Sequence, residues 1–222
     1  KNHEFRYSPK NDQNKTNITD APGFGSVRLC PPYEDPTFDR EFFEFLNNLV
    51  EDGDDVYDFG GGVSPFLYFL DHGKKTLVDK ANIPDVMEPL GINYLDADDW
   101  INKTLPYSNP IHVMTKSILF CFHTLEHVDN PEAMIKFFSR NFGVFIFATP
   151  QEELIETSIY HHIFMQMEIF KKIYSELKVP AFLRTSKNGL DIQGIIINNP
   201  KKWAYAKNHL FFNRHFKLYS EI

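Results

Sequence analysis

Apolar residues along the chain recur with two alternating periods. Phe38, Phe42, Phe45, Leu46 and Leu49 fall at helical spacing, so a helix is predicted to open at Thr37 with Asp39 in its first turn. Short apolar runs then appear at Val56–Phe59, Thr76–Asp79, Ile92–Asp96, Ser117–Phe122 and Val144–Thr149, each bounded by turn residues and of strand length. Between them the helical period returns. Ser64-Pro65 reads as an N-cap followed by Pro at the first helical position, with Gly73 as the stop. Asn130-Pro131 opens another helix, whose face is Met134, Phe137 and Phe138 and whose end is Gly143. Ile163, Met167, Phe170, Tyr174 and Leu177 mark a longer helix after the fifth strand. Two last strands, Ala181–Arg184 and Ile192–Ile197, flank Asn188-Gly189, a strong hairpin signal. Buried strands alternating with helices predict an α/β fold: a three-layer α/β/α sandwich on a mostly parallel seven-stranded sheet, with an antiparallel strand contributed by the C-terminal hairpin.

Composition sets limits on this picture. The 222 residues are 42% hydrophobic and 24% charged, with 22 Phe, which is enough material for one sizeable core. Three segments are expected. Residues 1–36, punctuated by Pro9, Pro22, Pro31, Pro32 and Pro36, form an irregular arm that serves as a lid. Residues 37–200 form the α/β domain, and 201–222 a basic, aromatic extension packed on it. Charge divides along the same line. Lys201, Lys202, Lys207, Arg214 and Lys217 face only Glu221 in the extension, and that net +4 leaves −11 on the first 200 residues of a chain whose total is −7. A body so acidic repels polyphosphate, so nucleic acid is not an expected partner. No apolar run approaches the roughly 18–20 residues of a membrane span, and no secretory pattern opens the chain. Cys30 and Cys121 give neither a disulfide framework nor a zinc cluster, and a cytoplasmic setting is the natural expectation.

In a sheet of this kind ligands bind beyond the carboxyl ends of the strands. After the first strand stands Asp58-Phe59-Gly60-Gly61-Gly62, whose glycines let backbone turn sharply and approach a ligand closely. It is not the G-x-G-x-x-G that cradles a pyrophosphate. Asp79 ends the second strand, where an acid can accept from two ribose hydroxyls. Asp96-Ala97-Asp98-Asp99-Trp100 follows the third, where a carboxylate can take an adenine amine beside an apolar neighbour. Together they describe a nucleoside pocket without phosphate recognition.

These residues resemble the class I S-adenosylmethionine-dependent methyltransferases. Asp58–Gly62 is similar to the family's first motif, Leu77-Val78-Asp79 to its second, and Leu95–Asp99 to its acidic adenine-side motif. Phe122-His123-Thr124-Leu125-Glu126-His127-Val128 resembles the Leu-Glu-His signature after the fourth strand. The resemblance spans roughly residues 37–197, and its motifs stand in register. It implies a Rossmann-like fold and methyl transfer from S-adenosylmethionine, with S-adenosylhomocysteine as product. It also implies that Asp58, Gly60 and Gly62 hold the methionine end, Asp79 the ribose, and Asp96 with Ala97 the adenine, with Phe122 beside the cofactor. The acceptor expected is a small metabolite or sugar-bearing precursor, methylated on oxygen or nitrogen by a monomer or homodimer. Phe120-Cys121-Phe122-His123 stands where a motif for nucleobase or glutamine amines would be.

Two histidines are candidate bases for the acceptor. His162, with His161, opens the long helix after the fifth strand, and His123 sits in the loop after the fourth. Positioning alone can also drive methyl transfer. His123-Thr124-Leu125-Glu126-His127 spells H-x-x-E-H as well, but zinc chemistry needs both imidazoles on one face of a continuing helix. Asn130-Pro131 leaves room for hardly more than a turn, so no metal is expected. The readings that compete with this one are a nicotinamide oxidoreductase, an inactive methyltransferase-fold binding protein, and an RNA methyltransferase using the basic tail.

Overall fold

The computed structural model describes residues 17–21, 25–28, 39–62, 66–80, 83–104, 114–151 and 166–221. Among them, strands β1 (Asn17–Ala21) and β2 (Gly25–Arg28) pair antiparallel, inside a stretch where the sequence shows no sustained period. Helix α1 (Arg40–Leu49) starts three residues later than its apolar pattern suggests. Asp39 is its N-cap, not a first-turn residue, and accepts from the Phe42 N–H at 2.7 Å. There follow β3 (Asp55–Phe59), α2 (Phe66–Phe69), β4 (Lys74–Asp79), α3 (Pro84–Met87), β5 (Asn93–Asp96), α4 (Ala97–Thr104) and β6 (Met114–Phe122). Then come α5 (Pro131–Asn141), β7 (Phe142–Pro150), α6 (Met167–Leu177), β8 (Ala181–Thr185) and β9 (Asp191–Ile197). The chain closes on α7 (Pro200–Ala206), α8 (Leu210–His215) and β10 (Lys217–Leu218). The predicted Ser64-Pro65 cap and Ile163 lie outside the described residues.

The main sheet has the order β5-β4-β3-β6-β7-β9-β8-β10. β3 to β7 are parallel, while β9 runs antiparallel between β7 and β8. The sheet therefore has eight strands where seven were expected, because the two residues of β10 add to the edge of β8. Strand order reverses at β3, with β4 on one side and β6 on the other.

Both faces are covered, so the central strands are apolar on both sides. Ile118 and Phe120 of β6, with Val144 and Ile146 of β7, point toward α1, α2, α7 and α8. Leu119, Cys121, Phe145 and Phe147 point the other way, toward α4, α5 and α6. The extension belongs to the first layer. Phe211, Phe212 and Phe216 are buried around Phe42 and Phe45 at centroid distances of 5.8–5.9 Å. Lys202 is buried too, with its ammonium 2.5 Å from Asp54 and 2.8 Å from the Leu49 carbonyl. Arg184 reaches into the same layer, lying over the Phe42, Phe211 and Phe216 rings while it donates to Gln193 and Asp39. Among the described residues no helix is long and apolar enough to cross a membrane.

Candidate functional site

β3, β4 and β5 end together. Phe59 pairs with Val78 and Asp79 with Asp96, so Gly60, Asp79 and Asp96 emerge side by side at the carboxyl edge. Two contacts shape the turn after β3. Gly60 has φ 75°, donates its N–H to the Val78 carbonyl at 2.8 Å, and lies so close to the loop after β6 that a Cβ would meet Thr124 Cγ2 at 2.1 Å. The Thr124 hydroxyl faces both the Gly60 and Phe122 carbonyls, at 3.2 and 3.0 Å, which ties the two loops together. Gly61 folds down on the buried Asp58, where an added Cβ would stand 2.4 Å from a carboxylate oxygen.

Gly62 is the half-buried, open end of this turn. Its φ is 57°, nothing stands within 4 Å of where a Cβ would be, and its N–H donates to Asp79 Oδ2 at 2.7 Å. The Asp79 main-chain carbonyl accepts from the Tyr94 hydroxyl at 2.9 Å, which fixes the strand end. Asp96 is exposed and caps α4 by accepting from the Asp99 N–H at 2.9 Å. Ala97 is buried behind it, near Trp100. Asp58, Gly60, Gly62, Asp79, Asp96 and Ala97 thus occupy three adjacent strand ends. Phe122, at the end of β6, packs edge-on against Phe66 at 5.1 Å.

The other half of the edge holds His123. It follows β6 directly and has φ 51°, the left-handed region that side chains other than glycine seldom adopt. Its N–H donates to the Ala148 carbonyl at 2.8 Å, holding that backbone against β7. The imidazole is one-third exposed, and its two nitrogens face different buried carboxylates: Nδ1 lies 3.8 Å from Glu126 and Nε2 3.8 Å from Asp191. Glu126 sits in a three-residue 3-10 turn, Leu125–His127, where Thr149 donates to it at 3.2 Å and His127 lies 3.9 Å away. Burial pushes its carboxyl above the ordinary glutamate value, against the pull of His123 and His127 and of its hydrogen bonds. Burial, then the charges of Glu126 and Asp58, push the Cys121 thiol well up, which leaves it inert. Among the described residues no group of three or more His, Cys, Asp or Glu is arranged to hold a metal ion. His161 and His162 lie outside the described residues.

No motif in the sequence marks Asp191 as part of this edge. It is the first residue of β9, and because β9 is antiparallel to β7, its start lies at the edge where β7 ends, with Asp191 opposite Pro150. The one available signal was the hairpin itself, since a strand that returns through the sheet begins at the ligand edge.

Comparison with solved structures interprets this topology. A chain in the complex of the Haloferax volcanii Trm112 methyltransferase activator with a candidate methyltransferase superposes with a TM-score of 0.52 at 14% identity, over 72% of this chain and 91% of that one. The fold is that of the class I methyltransferases. Other similar structures are S-adenosylmethionine-dependent methyltransferases from Thermotoga maritima (TM-score 0.47, 13% identity, 72% of this chain and 91% of that one) and Aquifex aeolicus (0.47, 15%, 75% and 94%). No protein-family model matches the sequence, and no curated protein matches it either. In this methyltransferase fold the expected three-layer arrangement and the antiparallel hairpin strand are both present.

Proposed function

We propose that this chain is an S-adenosylmethionine-dependent methyltransferase acting on an oxygen or nitrogen of a small metabolite or sugar-bearing precursor. The observation that carries the reading is the Gly62–Asp79 contact. A glycine turn with open space above it lies directly on the carboxylate that ends the neighbouring strand, in register with a second acid at Asp96. A cradle that no Cβ fills, flanked by two carboxylates and lacking a phosphate-binding G-x-G-x-x-G, fits a nucleoside carrying a cationic or zwitterionic tail. Asp58, Gly60 and Gly62 would hold the methionine end, Asp79 the ribose hydroxyls, and Asp96 with Ala97 the adenine. Bound there, S-adenosylmethionine supplies an electrophilic methyl group.

The chain's own residues would orient the acceptor and take its proton. In this reading His123 is the base, since it stands at the same edge, one-third exposed, on backbone fixed to β7. A tail-dependent RNA methyltransferase finds little support. Phe211, Phe212 and Phe216 are buried against α1 rather than free to stack on bases, and Lys202 is paired inside with Asp54.

Calorimetry with S-adenosylhomocysteine tests the proposal. The parent should bind, and Asp79→Ala should bind more weakly by about 1–3 kcal/mol, the value of hydrogen bonds to a charged group. Equal affinities would remove Asp79 from the site, and no binding by the parent would end the reading.

A further inference from the structure

Placing the base at His123 leaves a question that the methyltransferase topology alone does not answer: what holds its ring. We propose that Asp191 and Glu126 are positioning residues that grip the His123 imidazole by its two nitrogens, with Asp191 reaching it from the returning strand β9. The inference rests on His123 being the acceptor-side base.

Three observations carry it. Each ring nitrogen faces one carboxylate at 3.8 Å, Nδ1 toward Glu126 and Nε2 toward Asp191, so the ring lies between two acids instead of beside one. Both acids are buried, with side chains 2% exposed, whereas the imidazole is 33% exposed. The acids therefore stand behind the ring, and the ring stands toward solvent. Both acids are also fixed from elsewhere in the fold. Asp191 is locked into the hairpin, its N–H donating to the Ser186 hydroxyl at 2.9 Å and its carbonyl accepting from the Ser186 N–H at 2.8 Å. Glu126 accepts from Thr149 of β7. Burying two carboxylates is expensive unless charged or polar neighbours offset it, and among the described residues the imidazole lies within ion-pair reach of both.

At 3.8 Å neither contact is a hydrogen bond, but a ring movement of about 1 Å brings either to normal length. Such contacts commonly tighten only when substrate arrives. A neutral imidazole carries one N–H; in this proposal it is on Nε2, facing Asp191, and the bare Nδ1 faces Glu126. When an acceptor's O–H or N–H proton moves to that bare nitrogen, the ring becomes imidazolium between two buried negative charges. The proton later passes from that nitrogen to solvent water.

The ring nitrogens can be read without knowing the acceptor. The full chain labelled with ¹⁵N-histidine is compared by NMR as parent, Asp191→Asn and Asp191→Glu, with the exposed His72 as internal reference. Asp191→Asn should shift the His123 ring signals, moving hydrogen from the nitrogen facing Asp191 to its neighbour, while His72 stays in place. Asp191→Glu keeps the carboxylate, its extra methylene spans the gap, and its His123 signals should remain those of the parent. A general loosening of the hairpin would shift both variants alike. Parent-like signals in Asp191→Asn, or equal shifts in both variants, overturn the proposal. Should Asp191→Asn fail to fold, Glu126→Gln decides: a change in the His123 ring signals while His72 stays in place supports the grip, and unchanged His123 signals overturn it. Calorimetry with S-adenosylhomocysteine on the same samples separates the two readings. A parent that does not bind it ends the methyltransferase proposal, whereas the NMR outcome still decides whether the carboxylates hold the ring.

Discussion

Replacing Gly60 by Ala probes the joint on which the site is built. Two costs arise there and can be separated. The residue has φ 75°, and a side chain in the left-handed region costs about 1–2 kcal/mol. The added Cβ would also stand 2.1 Å from Thr124 Cγ2, 2.5 Å from its hydroxyl and 2.8 Å from its Cβ. Thr124 cannot simply rotate away, since its hydroxyl is placed between two carbonyls and the adjoining Leu125 is fully buried. Overpacking of this kind costs about 1–3 kcal/mol. The sum is about 2–5 kcal/mol, which should lower the urea midpoint by about 1–2 M for a chain of this size. Combining Gly60→Ala with Thr124→Gly removes all three obstructing atoms and leaves only the backbone cost. The double variant should therefore be less damaged than the two single costs added together, with a coupling of about 1–3 kcal/mol. Strictly additive costs, or a Gly60→Ala midpoint within error of the parent, would refute the claim that Gly60 is required by the approach of the β6 loop.

Two further substitutions test the layers around the site. Lys202→Met strands the buried Asp54, whose carboxylate then keeps the Glu51 N–H at 2.7 Å but loses its ammonium partner, and should destabilise the fold by about 3 kcal/mol in urea titration. Adding Asp54→Asn should recover much of that, and no recovery would show that lost packing, not charge, sets the cost. Glu126→Gln tests the carboxyl that burial raises above its ordinary 4.5. Below that value the acid is protonated folded and unfolded alike, and as pH rises through the higher folded value a charge must be buried and stability falls. The Gln variant should then gain on the parent near pH 7.5 and lose that gain below about pH 4.5, as read from paired urea midpoints, and a relative gain that grows on acidification would contradict the assignment.

The strands were legible because buried parallel strands are apolar on both faces, and the runs found at Val56, Thr76, Ser117 and Val144 lie within β3, β4, β6 and β7. Asn130-Pro131 was legible for a local reason, since cap and first helical residue are neighbours, and Asn130 does accept from the Ala133 N–H. The same signature at Asn199-Pro200 opens α7, where lysines and aromatics obscure the helical period. Asp96 also caps a helix where an acidic turn was expected, as too few apolar residues mark α4. The residues proposed to hold the cofactor were readable because they stand at or just beyond strand ends. The left-handed turn at His123 and its contact with Asp191 were not, since they depend on where β9 enters the sheet, 68 positions further along.

The packing of α8 on α1 bears on how the chain emerges from the ribosome. Phe42 and Phe45 are synthesised early, yet the rings that cover them, Phe211, Phe212 and Phe216, follow about 170 positions later. At the usual 5–20 residues per second, α1 waits about 10–30 s with its aromatic face uncovered while β3 to β9 are still being made. A nascent chain stalled before Leu210 should thus present that face to a chaperone that binds apolar helices, and one fused to a linker long enough to bring Phe216 clear of the ribosome should not. Residues 210–216 thus close the core after β3 to β9 have been made, and a chain cut before Leu210 would carry those strands with the aromatic face of α1 uncovered.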